Sequence, residues 1–167
     1  RLECVCNKFE LICFTNQPIK LNHNWKIIYI QEPSFTNIDL ARLIKINPQF
    51  FFREFDESIY LDASILFKKD INDFYENYLK DSKFTLFKHP KRKCIYDEAR
   101  VCELLGKQKI TKLINQIEFY KSEAYPKNNG LIASGVIYRH HNDPNIIQLM
   151  ENWSKQILLF SKRDQIS

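Results

Sequence analysis

Ser58-Ile59-Tyr60-Leu61-Asp62-Ala63-Ser64-Ile65-Leu66-Phe67 is apolar on both sides of one acid. A run of this kind, apolar without alternation, reads as a central strand buried on both faces of an α/β sheet. An ionised carboxylate in such a setting costs several kcal/mol unless it is paired, hydrogen-bonded or bound to a metal, so Asp62 needs a partner. Two readings stand level: a functional acid at the end of a core strand, or a residue just past the strand that caps a turn through its own backbone.

The flanking elements agree with an α/β domain. Apolar runs at 9–14 (FELICF) and 25–30 (WKIIYI) predict strands. Apolar spacing of three and four predicts a helix from Asn37 to Ile46, stopped by Pro48, with Arg42 and Lys45 neighbours on one face. An amphipathic helix follows over 70–79, then a strand over 84–87 running into the basic loop Lys88-His89-Pro90-Lys91-Arg92-Lys93. Helices at 96–105 and 108–122 are divided by Gly106; a strand over 131–138 (LIASGVIY) ends in Arg139-His140-His141-Asn142; Pro144 opens a helix to Phe160. Strands alternating with helices, with polar clusters at their C-terminal ends, predict an αβα sandwich whose site lies along that edge.

The 167 residues, 44% hydrophobic with three glycines and six prolines, leave no flexible linker, and one domain spanning 1–167 is expected. Because the chain opens at Arg1 without an initiator methionine and stops at Ser167, truncation at both ends is also expected. The net charge of +5 is spread along the chain and fits an ordinary solvated surface, a pocket for a phosphorylated small molecule, or, weakly, a nucleic-acid surface. Five cysteines at 4, 6, 13, 94 and 102, without CxxC spacing, argue for buried thiols rather than disulfides or structural zinc. No apolar run approaches the roughly 20 residues that span a bilayer, so the expected setting is cytoplasmic, membrane-associated if the source is bacterial. GxGxxG, P-loop, HExxH and GxSxG patterns are all missing, which removes dinucleotide oxidoreductases, P-loop NTPases, zincins and ordinary α/β-hydrolases.

Phosphate chemistry suits hard divalent cations on carboxylate oxygens, and Asp62 is a candidate ligand. Position 64 is Ser, so a two-acid pair is missing; an imidazole from His89, His140 or His141 could complete the sphere, each of these also reading as a surface loop residue. The basic loop 88–93 is solvated charge in the bland reading and a grip for phosphate or acidic sugar oxygens in the functional one, whereas Lys162 and Arg163-Asp164-Gln165 are a tolerated helix C-terminal cap or a cluster of an acid, an amide and cations.

Taken in order, Phe14-Thr15-Asn16, Arg42-Leu43-Ile44-Lys45-Ile46-Asn47-Pro48, Tyr60-Leu61-Asp62-Ala63-Ser64, His89-Pro90-Lys91-Arg92-Lys93-Cys94-Ile95-Tyr96-Asp97-Glu98-Ala99, Gly130-Leu131, Arg139-His140-His141-Asn142 and Arg163-Asp164-Gln165-Ile166-Ser167 resemble a glycosyltransferase-like family. That family, long catalogued as a domain of unknown function, occurs in bacteria and in plant Golgi proteins of the mucilage-related type. The resemblance implies a GT-A-like, Rossmann-like sandwich with a mixed central sheet. It also implies transfer of a sugar from a nucleotide-sugar donor to a surface glycan or polysaccharide acceptor, with Mn²⁺ or Mg²⁺ at the diphosphate. Under it, Thr15 and Asn16 approach the nucleoside, and Arg42 and Lys45 face the diphosphate. Asp62, Ser64, His89, Arg92 and Arg163 line the nucleotide-sugar site. Asp62 and His141 hold the metal, and Asp164 and Gln165 carry the catalytic contacts. The rivals are an inert domain of the same fold that binds anions or nucleic acid, and a lipid amide or ester hydrolase, for which no Ser/His/Asp order is present.

Overall fold

The computed structural model describes residues 8–21, 25–66, 68, 70–107 and 110–167. Strand β1 (Leu11–Thr15) pairs in parallel with β2 (Trp25–Tyr29), Leu11 opposite Trp25 and Thr15 opposite Tyr29. Helix α1 (Asn37–Ile46) starts at Thr36, whose hydroxyl oxygen accepts from the Asp39 N–H while its O–H donates to the Asp39 carboxylate at 2.6 Å. This reciprocal cap satisfies an amide that the helix leaves unpaired. A short 3₁₀ turn, Pro48–Phe50, follows where proline ends the helix.

Strand β3 (Ser58–Leu61), helix α2 (Ile71–Tyr78), strand β4 (Phe84–Lys88), helices α3 (Ile95–Leu104) and α4 (Ile110–Ser122), strand β5 (Ile132–Arg139) and helix α5 (Pro144–Leu159) complete the order. Asp70 caps α2, and Asp143 caps α5 just ahead of Pro144 in its first turn. Gly106, at φ +59°, closes the turn after α3 in the left-handed region where glycine carries no side-chain penalty.

Among the described residues the strands form two small sheets, parallel β1-β2 and antiparallel β3-β5-β4, in place of one mixed sheet. The last strand in sequence sits in the middle: Ser58 to Leu61 pair with Arg139 to Val136, and Phe84 to Leu86 pair with Arg139 to Ile137. The β4 register then jumps, Phe87 lying opposite Ala133, so that Ser134, Gly135 and Val136 have no partner on β4. Such an irregularity re-aims side chains.

The strand expected over 58–67 ends at Leu61. Asp62 donates its N–H to the Gly135 carbonyl at 2.8 Å and accepts the Ile65 N–H at 2.8 Å, so the chain turns there. Phe67 and Gln108, which the sequence reading included in a strand and a helix, lie outside the described residues, as do Cys4 and Cys6. Cys13, Cys94 and Cys102 are free thiols, the last two buried.

Helix α5 lays Ile146, Met150, Trp153 and Ile157 against Ile46 and Ile137, with Tyr60, Phe84 and Leu86 packed at the margin. A second cluster joins Ala99 and Cys102 of α3, Leu113 of α4 and Ile166 of the C-terminal segment. Burying an aliphatic side chain is worth roughly 1.5–3 kcal/mol, so these two clusters fix α1, α5 and the C-terminal segment around the sheet. Arg139, buried at the end of β5, donates to the Lys45 carbonyl in the last turn of α1, where the helix dipole favours a cation. No helix among the described residues is long and apolar enough to cross a membrane.

Candidate functional site

Four pieces of chain meet at the end of β3: Asp62 in the turn, Ser134 and Gly135 in the unpaired stretch of β5, Arg42 and Lys45 on α1, and residues 162–165 after α5. Lys45 is 1% exposed, yet its ammonium is well partnered. It lies 2.5 Å from Asp164 Oδ2, 3.3 Å from Ser134 Oγ and 3.5 Å from Asp62 Oδ1, and 5.1 Å from the centre of the Tyr60 ring. A buried cation needs this density of acceptors to survive desolvation.

Asp164 is buried between two cations. Its Oδ2 accepts from Lys45 and from Ser134 Oγ at 2.9 Å, Arg42 Nη2 stands 3.6 Å from Oδ1, and its backbone carbonyl accepts from Trp153 Nε1 at 2.9 Å. Burial pushes its pKa up, but the charges of Lys45 and Arg42, with the bonds from Lys45 and Ser134, outweigh that and hold it below the usual carboxylate range. A carboxylate so stabilised in its charged form is a weak proton acceptor near neutrality. Gln165 beside it accepts from Arg163 Nη2 at 2.8 Å.

Asp62 differs. Its side chain is 40% exposed, Oδ1 accepts from Tyr60 OH at 2.9 Å and from Lys45, and Oδ2 has no hydrogen-bond partner among the described residues. A Cβ on Gly135 would come within 3.3 Å of that Oδ2, so the glycine makes room for it. Asp62 lies just past the end of β3, the position of the turn reading, but its carboxylate bonds to Tyr60 and Lys45 rather than to its own backbone. Burial and the neighbouring Asp62 charge together raise the Tyr60 pKa, so the phenol remains a donor.

Beside this cluster opens a cleft of about 290 Å³ against the first turns of α1, lined by Asn37 and Ala41 and by Arg42, Lys107, Lys162 and Arg163. Among the described residues no carboxylate belongs to the lining. Asn16 donates to the Asn37 side chain at 2.9 Å, which ties the end of β1 to the cleft; the Thr15 hydroxyl is taken up in its own turn with Gln17. Lys162 is ion-paired with Asp39, while Lys107 has no acidic partner among the described residues.

Behind Arg163 lies a second charged knot. Glu98, 3% exposed at its side chain, pairs with Arg92, with Arg163 Nη2 4.0 Å away and His89 Nε2 3.9 Å away. The His89 Nδ1 accepts the N–H groups of Lys91 and Arg92 at 3.2 and 3.0 Å, so this imidazole organises its own loop. Desolvation first, then Arg92, push its pKa down.

The sequence placed His141 beside Asp62 as a metal ligand, but the structure engages it elsewhere. Its Nε2 donates to the Phe52 carbonyl at 2.8 Å, and its ring is buried near Arg139. Among the described residues no group of three or more His, Cys, Asp or Glu is arranged to hold a metal ion. Around Asp62 stand an ammonium, a phenol and a hydroxyl, a donor set that does not fit a resident divalent cation. Ser64 is exposed in the turn after Asp62.

Arg42, Lys45, Asp62, Asp164 and Arg163 are thus brought together or into contact, with Asn16 close by, whereas His89 and Arg92 reach the site only through Glu98 and Arg163. Sequence reasoning missed Ser134, Gly135, Tyr60, Glu98 and Lys107. Ser134-Gly135 inside the apolar run LIASGVIY was the available signal, since a small polar pair in a core strand marks close approach by another group. Lys107 carried no pattern.

The structure is a mixed α/β domain with a cation-rich cleft beside a carboxylate at the end of β3. The chain belongs to the TOD1/MUCI70 glycosyltransferase-like domain family, whose model matches residues 14–167. No curated protein sequence and no solved structure matches it.

Proposed function

We propose that the chain is a GT-A-like glycosyltransferase that moves a sugar from a nucleotide-sugar donor to a hydroxyl of a glycan or polysaccharide acceptor. Membership of the glycosyltransferase-like family supports the reaction class, and the observation that carries the site is the pairing of a partly exposed acid with an adjoining cationic cleft.

Asp62 is the acid that meets the reacting sugar, because its Oδ2 is unengaged and reachable while Asp164 is spent on Lys45 and Arg42. Deprotonating or orienting an acceptor hydroxyl requires such a reachable oxygen. Lys45, Tyr60 and Ser134 fix the Asp62 and Asp164 carboxylates, and Asp164 with Gln165 positions the cations Arg42 and Arg163. Asn16, tied to Asn37 of the cleft lining, would face the nucleoside, with Thr15 next to it. Mn²⁺ or Mg²⁺, which the family resemblance implies, finds no ready set of protein ligands, and no step is assigned to it.

The test is incubation with UDP-, GDP-, CDP- and ADP-sugars, each with Mn²⁺, Mg²⁺ or EDTA, reading nucleoside diphosphate release. Release from one nucleotide class that drops at least tenfold in Asp62→Asn supports the proposal. If no nucleotide sugar is turned over or raises the melting temperature of the folded chain, while single-stranded RNA binds with a steep salt dependence, the anion-binding rival takes its place.

A further inference from the structure

We propose that the cleft between α1 and the segment after α5 is a diphosphate seat whose own side chains carry the charge neutralisation, so that a diphosphate binds there without a divalent ion. This deepens the reading given above and rests on it for the donor class. Lys107, which no motif singles out, is an exposed residue of its lining.

The cleft gathers Arg42, Lys107, Lys162 and Arg163 in about 290 Å³, a volume suited to a phosphate pair and part of what it carries. The four lining cations Arg42, Lys107, Lys162 and Arg163 have three carboxylates in ion-pair contact with them, Asp39, Glu98 and Asp164, a surplus of one positive charge that falls on Lys107. The acids are placed behind the cations rather than in the lining: Asp164 backs Arg42, Glu98 backs Arg163, and Asp39 holds Lys162 from the α1 side. Cations held this way are oriented in advance, which reduces the ordering cost of binding. Arg163 Nε is buried without a hydrogen-bond partner among the described residues.

The first turns of α1 add to this. Asn37 and Ala41 line the cleft at the N-terminal half of a ten-residue helix, where unpaired amides and the dipole favour an anion. Arginine gives bidentate contact with phosphate oxygens and lysine a mobile point charge, and the cleft holds two of each. A metal ion bridging diphosphate to protein needs carboxylate oxygens facing the phosphates, and the lining has none among the described residues.

Titration calorimetry of the full chain with inorganic pyrophosphate and with UDP and GDP, in EDTA and in Mn²⁺, tests this. Pyrophosphate and at least one nucleoside diphosphate are expected to bind in EDTA, with at least tenfold weaker binding in Lys107→Glu. Lys107 is exposed, so an unchanged melting temperature verifies that the variant is folded. Pyrophosphate binding lost in Lys107→Glu, without turnover of any nucleotide sugar, upholds the seat and removes the glycosyltransferase reading. Binding that needs Mn²⁺, is unchanged in Lys107→Glu and is lost in Asp62→Asn overturns the seat while leaving glycosyl transfer standing. No binding of pyrophosphate or either nucleoside diphosphate under any condition also overturns it.

Discussion

Two aspartates four ångströms or less from one ammonium have different fates. Asp164 is 5% exposed at its side chain and Asp62 is 40%, although both contact Lys45. Removing one partner of a buried ion pair leaves an uncompensated charge and costs about 3–5 kcal/mol, so Lys45→Met, which strips Asp164 of its closest cation, is expected to destabilise by that amount in urea unfolding. Replacing both partners, as in Lys45→Met with Asp164→Leu, is expected to recover part of the loss because the buried carboxylate leaves with its ammonium and only the more exposed Arg42 is left without its acid. Asp62→Asn keeps an acceptor for Tyr60 and is solvent-screened, so its cost stays under about 1 kcal/mol. Equal losses from Lys45→Met and Asp62→Asn would show that the two acids share one structural role. That contrast matters for function, since a residue that costs little stability yet abolishes turnover is one that meets the substrate.

Among the elements, the helices were legible and the sheets were not. Apolar spacing marked α1, α2 and α5, and Asn37, Asp70 and Pro144 marked their starts to within a residue, because caps and periodicity are local properties. The run 131–138 was readable as a core strand, but its place between β3 and β4 depends on partners distant in sequence, which alternation does not encode. The same limit applied to the site: Lys45 with Asp164 was readable as two charged residues, not as a contact across 119 positions. Gly135 shows what β5 contributes. A Cβ there meets Asp62 Oδ2 at 3.3 Å and Ile65 Cδ1 at 3.5 Å, so Gly135→Ala moves the carboxylate by a few tenths of an ångström while the half-exposed side chain can give way. Such a shift in a reacting group is expected to lower nucleotide-sugar turnover by tenfold or more, with a loss of less than about 1 kcal/mol in stability. Unchanged turnover in a folded Gly135→Ala protein would mean that Asp62 is not held to a fixed position.

Across the whole molecule, buried groups that favour one protonation state make folding depend on pH. His141 and His89 both have pKa values pushed below their ordinary 6.5, chiefly by desolvation, although the Phe52 carbonyl opposes this at His141. Above 6.5 both are neutral in the folded and unfolded chain and no pH dependence arises from them. As pH falls through 6.5 the unfolded chain takes up protons that the native state refuses, and stability is lost at up to about 1.4 kcal/mol per pH unit for each proton until the folded pKa is reached. Asp164 acts lower down by the same sign: its folded pKa lies below the ordinary 3.8, so its contribution is complete above that value and disappears as pH falls through the folded pKa. The urea midpoint is therefore expected to hold steady from pH 8 to about 7, decline between about 6.5 and 5, and fall again below about 4. His141→Gln retains a donor for the Phe52 carbonyl and removes a titrating group, so it should flatten the upper decline while leaving the acid step. A wild-type midpoint that is constant from pH 7 to 5 would show that neither imidazole is held neutral by the fold.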